Sequence, residues 1–387
     1  MSALIKNKAF FVILQTWQRS KFYLDESLEE MSELARSANI ELAGFSQSKI
    51  RNPSASHFLR EGKLAEIQEE AKKEAANFLL FNVELTPAQA RNIEKSTKFP
   101  VVDRTGLILE IFGRRAKTKE GQLQVELARL VYALPRVGGL GVVMSRIGGG
   151  TRGTRGPGET ELEKDTRKIR KRIQIAKEQL EKVRKHRKLI REGRKKRNFL
   201  TVALVGYTNA GKSTLLNTLT GADVYAQDQL FATLDPTARI QSINGRGDIL
   251  FVDTVGFIRD LPHTLVTSFR ATLEEVTEAD LLIHVLDVSN ENTRDYKKAV
   301  ETVLKEIKAE DNPCILVLNK ADLLSEEDKK KIQREWPQGV LLSAKEGLGL
   351  NTLLAHIEQS LPKPYYLDDH SNAPHLINES YESDEDH

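Results

Sequence analysis

Apolar residues along this chain fall into runs of two kinds. Short, nearly unbroken runs read as strands: "AFFVILQ", "IELAGFSQ" and "FLLFNVEL" within the first hundred residues, all three of a composition expected of buried strands. Between them, "DESLEEMSELARSA", "EGKLAEIQEEAKKEA" and "TPAQARNIEKST" space their apolar residues three or four apart, as one face of a helix does. Strand and helix in alternation predict a small α/β unit with a largely parallel sheet.

Two helical patterns follow. In the first, Leu123, Leu127, Leu130 and Leu134 step by four, three and four; in the second, Leu162, Ile169, Ile173, Ala176, Leu180, Val183 and Ile190 follow one heptad seam, interrupted by Thr166 and Arg187. Such seams want a partner helix, and the simplest solution pairs the two antiparallel. Residues 135–160, which contain "GGGTRGTRGPGET", would then form the tip of the hairpin. A flexible linker would share the glycines but has no need of the arginines, and long ordered loops usually carry function.

From about residue 198 the alternation restarts. "FLTVALVGY", "DILFVDT", "DLLIHVLDVS", "CILVLNK" and "GVLLSA" are near-continuous apolar runs, as strands covered on both faces should be. Helical patterns lie between them, and "GLNTLLAHIEQSL" closes the set. The expected fold class is α/β: a doubly wound domain preceded by a small α/β domain with a long antiparallel helical hairpin. The expected division is 1–103, hairpin 104–197, doubly wound domain 198–362, and an acidic tail 363–387 that its polar composition marks as disordered.

Charge alters this picture in one place. The net charge of the 387 residues is only +3, yet residues 164–197 hold 17 Lys or Arg against 4 Asp or Glu. Residues 364–387 hold 7 acidic residues and no Lys or Arg. A basic block on a near-neutral body points to a polyanion partner, although a solvated helix face would also account for it. The single cysteine, Cys314, precludes a disulfide within the chain, and the histidines show no metal-ligand spacing. "AFFVILQ" is too short for a membrane span or a secretory segment, so a cytoplasmic protein is expected.

The chemistry concentrates at strand ends. Gly206, Tyr207, Thr208, Asn209, Ala210, Gly211, Lys212 and Ser213 spell G-x-x-x-x-G-K-[ST] between a predicted strand and a predicted helix, with Thr214 just inside that helix. Backbone N–H groups there can ring phosphates, the helix N-terminus favours anions, Lys212 offers a charge to the β- and γ-phosphates, and the Ser213 hydroxyl can bind Mg²⁺. "DTVG" (Asp253, Thr254, Val255, Gly256) follows. Asp253 can hold the Mg²⁺ shell, and the Gly256 N–H can bond the γ-phosphate. In "NKAD" (Asn319, Lys320, Ala321, Asp322), the Asp322 carboxylate can accept from N1–H and the 2-amino group of guanine. Adenine offers neither donor, so this residue selects GTP over ATP. "SAK" (Ser343, Ala344, Lys345) can bring backbone to guanine O6. Between the first two motifs, "LFATLDPTAR" carries two threonines able to close on Mg²⁺ when a γ-phosphate is present; Thr233 is favoured over Thr237. The catalytic set expected is Lys212, Thr233 and Gly256, with Ser213, Thr233 and Asp253 on the metal. Phe257 stands where Ras-like enzymes place a water-orienting glutamine, so slow intrinsic hydrolysis is expected. Asn209 resembles the asparagine of potassium-activated GTPases and would help hold K⁺; bracing of the loop is the equal alternative.

With these motifs the chain resembles the HflX family of GTPases. "DRTGLILEIFGRRAKTKEGQLQVELA", "TRGPGETELE" and "LFATLDPTAR" are similar to that family's most recognisable segments, and the likeness covers roughly residues 8–362. The resemblance implies binding of GTP and GDP, hydrolysis of GTP, and action on the large ribosomal subunit to split stalled or idle ribosomes. It also implies that the hairpin tip, with Arg152 and Arg155, meets ribosomal RNA near the peptidyl-transferase region, the basic helix adding phosphate contacts. Two features depart from the family. "FLREGKLAEI" is poorer in glycine than its counterpart, which leaves open whether the N-terminal domain binds a second nucleotide. Where some members carry an extra C-terminal domain the expectation here is an acidic tail, so that domain's contacts do not carry over. A monomer is expected, with no DNA partner and no stable membrane insertion, any membrane association being peripheral. A GTP-dependent adaptor of a protein partner is the second reading, and an RNA-remodelling ATPase the third. Asp322 argues against adenine, and a basic helix without aromatics argues against a membrane surface.

Overall fold

The structure is a computed structural model; it describes residues 7–16, 23–137, 161–196, 199–221, 230–231, 233–243, 246–259 and 270–362. The first sheet contains β1 (Lys8–Thr16), β2 (Glu41–Ile50), β3 (Phe78–Phe81) and β4 (Val101–Val102) in the order β2-β1-β3-β4, every pair parallel. Helices α1 (Tyr23–Ser37), α2 (Glu61–Lys73) and α3 (Pro87–Thr97) alternate with the strands as the pattern predicts. The start of α3 shows the local cause. The Thr86 hydroxyl accepts from the Gln89 N–H, the Gln89 side chain accepts from the Thr86 N–H, and Pro87 opens the first turn. "IELAGFSQ" departs from expectation. It forms β2, an edge strand, and Leu42 and Phe45 remain 40% and 48% exposed. Apolar content marks it as a strand but does not distinguish an edge from a centre.

Helix α4 (Arg104–Arg115) buries Leu107, Ile108, Ile111 and Phe112 in the same cluster as Phe11 and Ile13 of β1. After a short break, Thr118 caps α5 (Lys119–Ala133) by accepting from the Gly121 N–H at 3.0 Å. Helix α6 (Glu161–Lys196) packs on α5. Arg172 pairs with Glu126 at 2.6 Å and Arg187 with Glu120 at 2.8 Å, so rising numbers on one helix meet falling numbers on the other, as in an antiparallel pair. The seam is shorter than predicted. Ile169 and Ala176 are buried, but Leu162 and Ile190 stay 48% and 37% exposed. The cause is length: the 15 residues of α5 reach about 22 Å and cannot cover a 36-residue helix of about 54 Å. Residues 138–160, with Arg152 and Arg155, and the tail 363–387 lie outside the described residues.

The second sheet contains β5 (Leu200–Gly206), β6 (Thr237–Ile243), β7 (Gly247–Asp253), β8 (Leu281–Asp287), β9 (Cys314–Asn319) and β10 (Val340–Leu341) in the order β10-β9-β8-β5-β7-β6. Helices α7 (Lys212–Thr220), α8 (Arg270–Thr277), α9 (Thr293–Glu306), α10 (Glu326–Glu335) and α11 (Leu350–Ser360) complete it. The five apolar runs are the parallel strands. β6 lies antiparallel on the outer edge and has no counterpart in the expectation, because "TARIQSI" is half-polar and buries only Ile243. The registers Leu204↔Asp253, Gly206↔Val285 and Asp287↔Asn319 bring the ends of β5, β7, β8 and β9 to one rim. Open α/β sheets bind ligands in the crevice at that rim. One apolar cluster joins Leu107, Phe112 and Val125 to Tyr207, Phe231, Leu234, Val255 and Ile258, so the rim is packed against the first part of the chain. Among the described residues no helix is long and apolar enough to cross a membrane.

Candidate nucleotide-binding site

β5 ends at Gly206 and α7 begins at Lys212, leaving a tight turn in which Asn209 takes a left-handed conformation with φ 61. The Lys212 ammonium lies inside this turn and donates to the carbonyls of Gly206 (3.2 Å) and Tyr207 (2.9 Å). Burial lowers its pKa to about 8, against the opposing pull of Asp253. A buried cation whose hydrogen bonds, among the described residues, go to two carbonyls is suited to receive an anion.

Three oxygens meet next to it. Ser213 donates to Asp253 Oδ2 at 2.6 Å, Thr233 donates to the same oxygen at 3.0 Å, and the two hydroxyls are 2.9 Å apart. Thr237 instead opens β6, opposite Asp253 in the register. Asp253 is fully buried, and Oδ1 has no hydrogen-bond partner among the described residues. Burial raises its pKa, with Lys212 and the two hydroxyls pulling the other way. A buried carboxylate with an open oxygen beside two hydroxyls is a set of hard donors that fits Mg²⁺. Gly256 closes this corner. A Cβ there would stand 2.9 Å from Thr208 Cα and 3.0 Å from Lys212 Nζ, so only glycine lets the two loops approach.

The neighbours of Gly256 secure the loop. The Thr254 hydroxyl donates to the Leu204 carbonyl at 2.7 Å, and Val255 is buried in the shared cluster. Phe257 donates its N–H to Gly206 O at 3.0 Å and accepts from the Thr208 N–H at 2.8 Å. Its ring is buried with Val205, Leu273 and Val276.

The remaining motifs form a second corner. Asn319 donates to Ala210 O at 2.8 Å and accepts from the Ala344 N–H at 2.9 Å, linking the turn to the last loop. Ser343 donates to Asp322 Oδ1 at 2.6 Å, orienting the carboxylate. Thr218 ties α7 to the same loop through Ala344 O at 2.7 Å and also donates to Thr214 O at 2.9 Å, while Lys345 is exposed. Lys320 is held by Asp287 at 2.7 Å, a partner that the strand-end Asp of "DLLIHVLDVS" could have suggested.

Tyr207 does something the motif does not foretell. Its ring stacks on Tyr296, with centroids 4.0 Å apart and planes 9° from parallel. Its hydroxyl donates to Glu30 at 3.2 Å and accepts from the Arg259 N–H at 2.9 Å. Burial, then the Glu30 charge, holds the phenol well above its ordinary pKa. Glu30 also pairs with Arg104 at 2.5 Å, and Arg259 with Glu26 at 2.9 Å. In the sequence Glu26 and Glu30 are two of several acidic residues on an amphipathic helix, and nothing marks them as contacts of the nucleotide loops.

Three family models match the chain: GTP-binding GTPase N-terminal over residues 25–113, GTP-binding GTPase middle region over 115–194, and 50S ribosome-binding GTPase over 201–320. A curated protein of Caldanaerobacter subterraneus, GTPase HflX, is 49% identical over 339 residues, covering 88% of this chain and 78% of that protein. GTPase HflX of Escherichia coli is 46% identical over 339 residues, covering 87% and 79%. Among solved structures, a GTP-binding protein of Sulfolobus solfataricus in complex with GDP is similar at 26% identity and TM-score 0.45, over 92% of this chain and 98% of that one.

Proposed function

The chain belongs to the HflX family of GTPases, and we propose that it couples GTP hydrolysis to the large ribosomal subunit, splitting or rescuing stalled or idle ribosomes. Guanine nucleotide binding and hydrolysis of GTP to GDP and phosphate come with the family. The observation that supports the site assignment best is the meeting of Ser213, Thr233 and Asp253 within 2.6 to 3.0 Å, beside the buried Lys212. On this reading the N–H groups from Tyr207 to Thr214 ring the phosphates, and Lys212 pairs with them. The Gly256 N–H meets the γ-phosphate. Ser213, Thr233 and Asp253 would hold Mg²⁺, which would offset the negative charge that develops on the phosphates during transfer. Asp322 reads the guanine, Asn319 and Lys320 fix its loop, and Ser343, Ala344 and Lys345 close over the base. K⁺ beside Asn209 would assist. With the Phe257 ring in the core, no side chain at that position orients the attacking water, so turnover waits for the partner.

Ribosomal RNA is the proposed contact of the hairpin, 104–197, while 198–362 works as the GTPase domain of a cytoplasmic monomer. Arg170, Lys171, Lys177, Lys182 and Lys185 are exposed on α6, a basic surface suited to RNA phosphates. Arg152 and Arg155 at the tip would enter the RNA. Sedimentation with purified large subunits at near-physiological salt tests this, using a non-hydrolysable GTP analogue, GDP or no nucleotide. Binding should be strongest with the analogue, and Arg152→Ala with Arg155→Ala should weaken it while leaving GTP affinity intact. No binding in any nucleotide state would refute the ribosomal reading.

A further inference from the structure

The segment that carries Thr233 is fastened on both sides to the part of the chain that precedes the second sheet. Two residues before it, the Phe231 ring is 2% exposed and meets Phe112 of α4 edge to face, with centroids 4.7 Å apart and planes at 85°. Phe231 has φ 55, a left-handed conformation that a bulky side chain adopts only when its surroundings impose it. Leu230 and Leu234 enter the same cluster beside Leu107, Ile108 and Val125. Two residues after Thr233, the Asp235 carboxylate takes three donors at the start of α5: the N–H groups of Lys117 (2.8 Å) and Thr118 (2.9 Å) and the Thr118 hydroxyl (2.6 Å). A helix N-terminus favours a negative charge placed there. The fit is close, because a methyl group at Gly121 would collide with the Asp235 carboxylate. "TKEGQLQVELA" and "LDPTAR", separate motifs in the sequence, thus form one contact.

We propose that Phe231 and Asp235 are positioning residues for GTP hydrolysis. Anchored on α4 and α5, they hold the Thr233 hydroxyl against Ser213 and Asp253, so that the helical part of the chain completes the nucleotide site. The inference rests on the assignment of Thr233 to the Mg²⁺ shell in the triphosphate state. In that assignment Thr233 has no role with GDP, so loosening its anchors should penalise the triphosphate alone. Misplacement of one reacting or ligating group by about 1 Å costs on the order of 100-fold.

The test measures GDP and non-hydrolysable GTP analogue affinities by calorimetry across a Mg²⁺ titration, together with kcat and KM for GTP, in the full chain. Asp235→Ala should leave GDP affinity within about twofold and lower analogue affinity and kcat roughly 10- to 100-fold, with a higher Mg²⁺ requirement. Thr118→Ala removes one of the three donors and should cost less, and in the double variant the analogue-to-GDP ratio should fall no further than in Asp235→Ala, since the anchor is already gone. Asp235→Asn should recover most of the loss. Its amide oxygen can accept from the two N–H groups, and its NH₂ can donate to the Thr118 hydroxyl oxygen. Gly121→Ala guards against misfolding as the cause. Alanine is the better helix former, so the fold should persist while analogue binding falls as in Asp235→Ala. Thr233→Ala separates the two levels of the reading. If it lowers analogue binding and Asp235→Ala does not, the anchor is overturned. If Thr233→Ala itself leaves the analogue-to-GDP ratio unchanged, the metal assignment fails and the anchor with it. Equal loss of GDP and analogue in Asp235→Ala would also overturn the proposal, marking Asp235 as a general support of the fold.

Discussion

Replacing Asp322 with asparagine changes one atom in the guanine corner, and its cost can be worked out from the contacts. Ser343 donates to Asp322 Oδ1 at 2.6 Å, so the carboxylate is already oriented, and in the proposed site its remaining lone pairs would accept from the base. Guanine brings two donors, N1–H and the 2-amino group, and each charge-assisted bond is worth about 1.5–3 kcal/mol. Asparagine keeps the Ser343 bond but turns an NH₂ towards one of those donors. Loss of one such bond, with a donor left facing a donor, comes to about 3 kcal/mol, or roughly two orders of magnitude in Kd. Xanthine carries an oxygen in place of the 2-amino group and should recover affinity in the variant, because that oxygen accepts from the new amide. Calorimetric titration of GDP and xanthosine diphosphate into both proteins measures the exchange. An unchanged GDP affinity would refute the reasoning, as would equal weakening of both nucleotides, which would point to damage rather than misread hydrogen bonds.

Three further outcomes follow from other positions. His284 is 3% exposed, opposite Val205 and Leu316 in the neighbouring strands, and burial, with smaller contributions from Lys297 and Lys212, lowers its pKa from 6.5 to about 3. The folded state therefore binds this proton less readily than the unfolded chain, and stability should be lost as pH falls below about 6.5, by about 2 kcal/mol at pH 5; urea unfolding from pH 7 to 5 should show a flatter dependence in His284→Leu, and an unchanged slope would exclude this group. Phe257→Gln should lower stability by about 1–3 kcal/mol without speeding hydrolysis, since the amide would enter the core and not the phosphate turn; faster turnover would contradict the placement of that ring. Replacing K⁺ by Na⁺ at constant ionic strength should slow wild-type hydrolysis and have no effect in Asn209→Ala; equal wild-type rates would leave Asn209 as a brace for its left-handed turn.

What the sequence revealed follows physical range. Gly206 to Ser213, "DTVG", "NKAD" and "SAK" are short segments that follow directly on apolar strand runs, so their gathering at one rim of the sheet could be read without coordinates. The same holds for the parallel strands, whose apolar runs record burial on both faces. β2 was misjudged because its apolar residues give no sign that β1 is its partner on one side only. β6 escaped because a half-polar edge strand has no periodicity to find. The tyrosine of the phosphate turn was read only as part of the nucleotide grip; its side chain also reaches Glu30 across 177 residues of chain and Arg259 across 52. Asp235 and Thr118 belong to the same class: each looks like an ordinary turn or cap residue, and their pairing exists only once two distant segments have packed.

GTP turnover by the purified chain, with and without purified large ribosomal subunits in K⁺ buffer at near-physiological salt, tests the central claim most directly. With the Phe257 ring held in the core, turnover should be slow alone. Saturating subunits should raise it by roughly two orders of magnitude or more, against the roughly three to five that an arginine supplied by a partner brings to a GTPase. A fast free enzyme, or a rate that saturating subunits leave unmoved, would contradict the coupling of this nucleotide site to the ribosome.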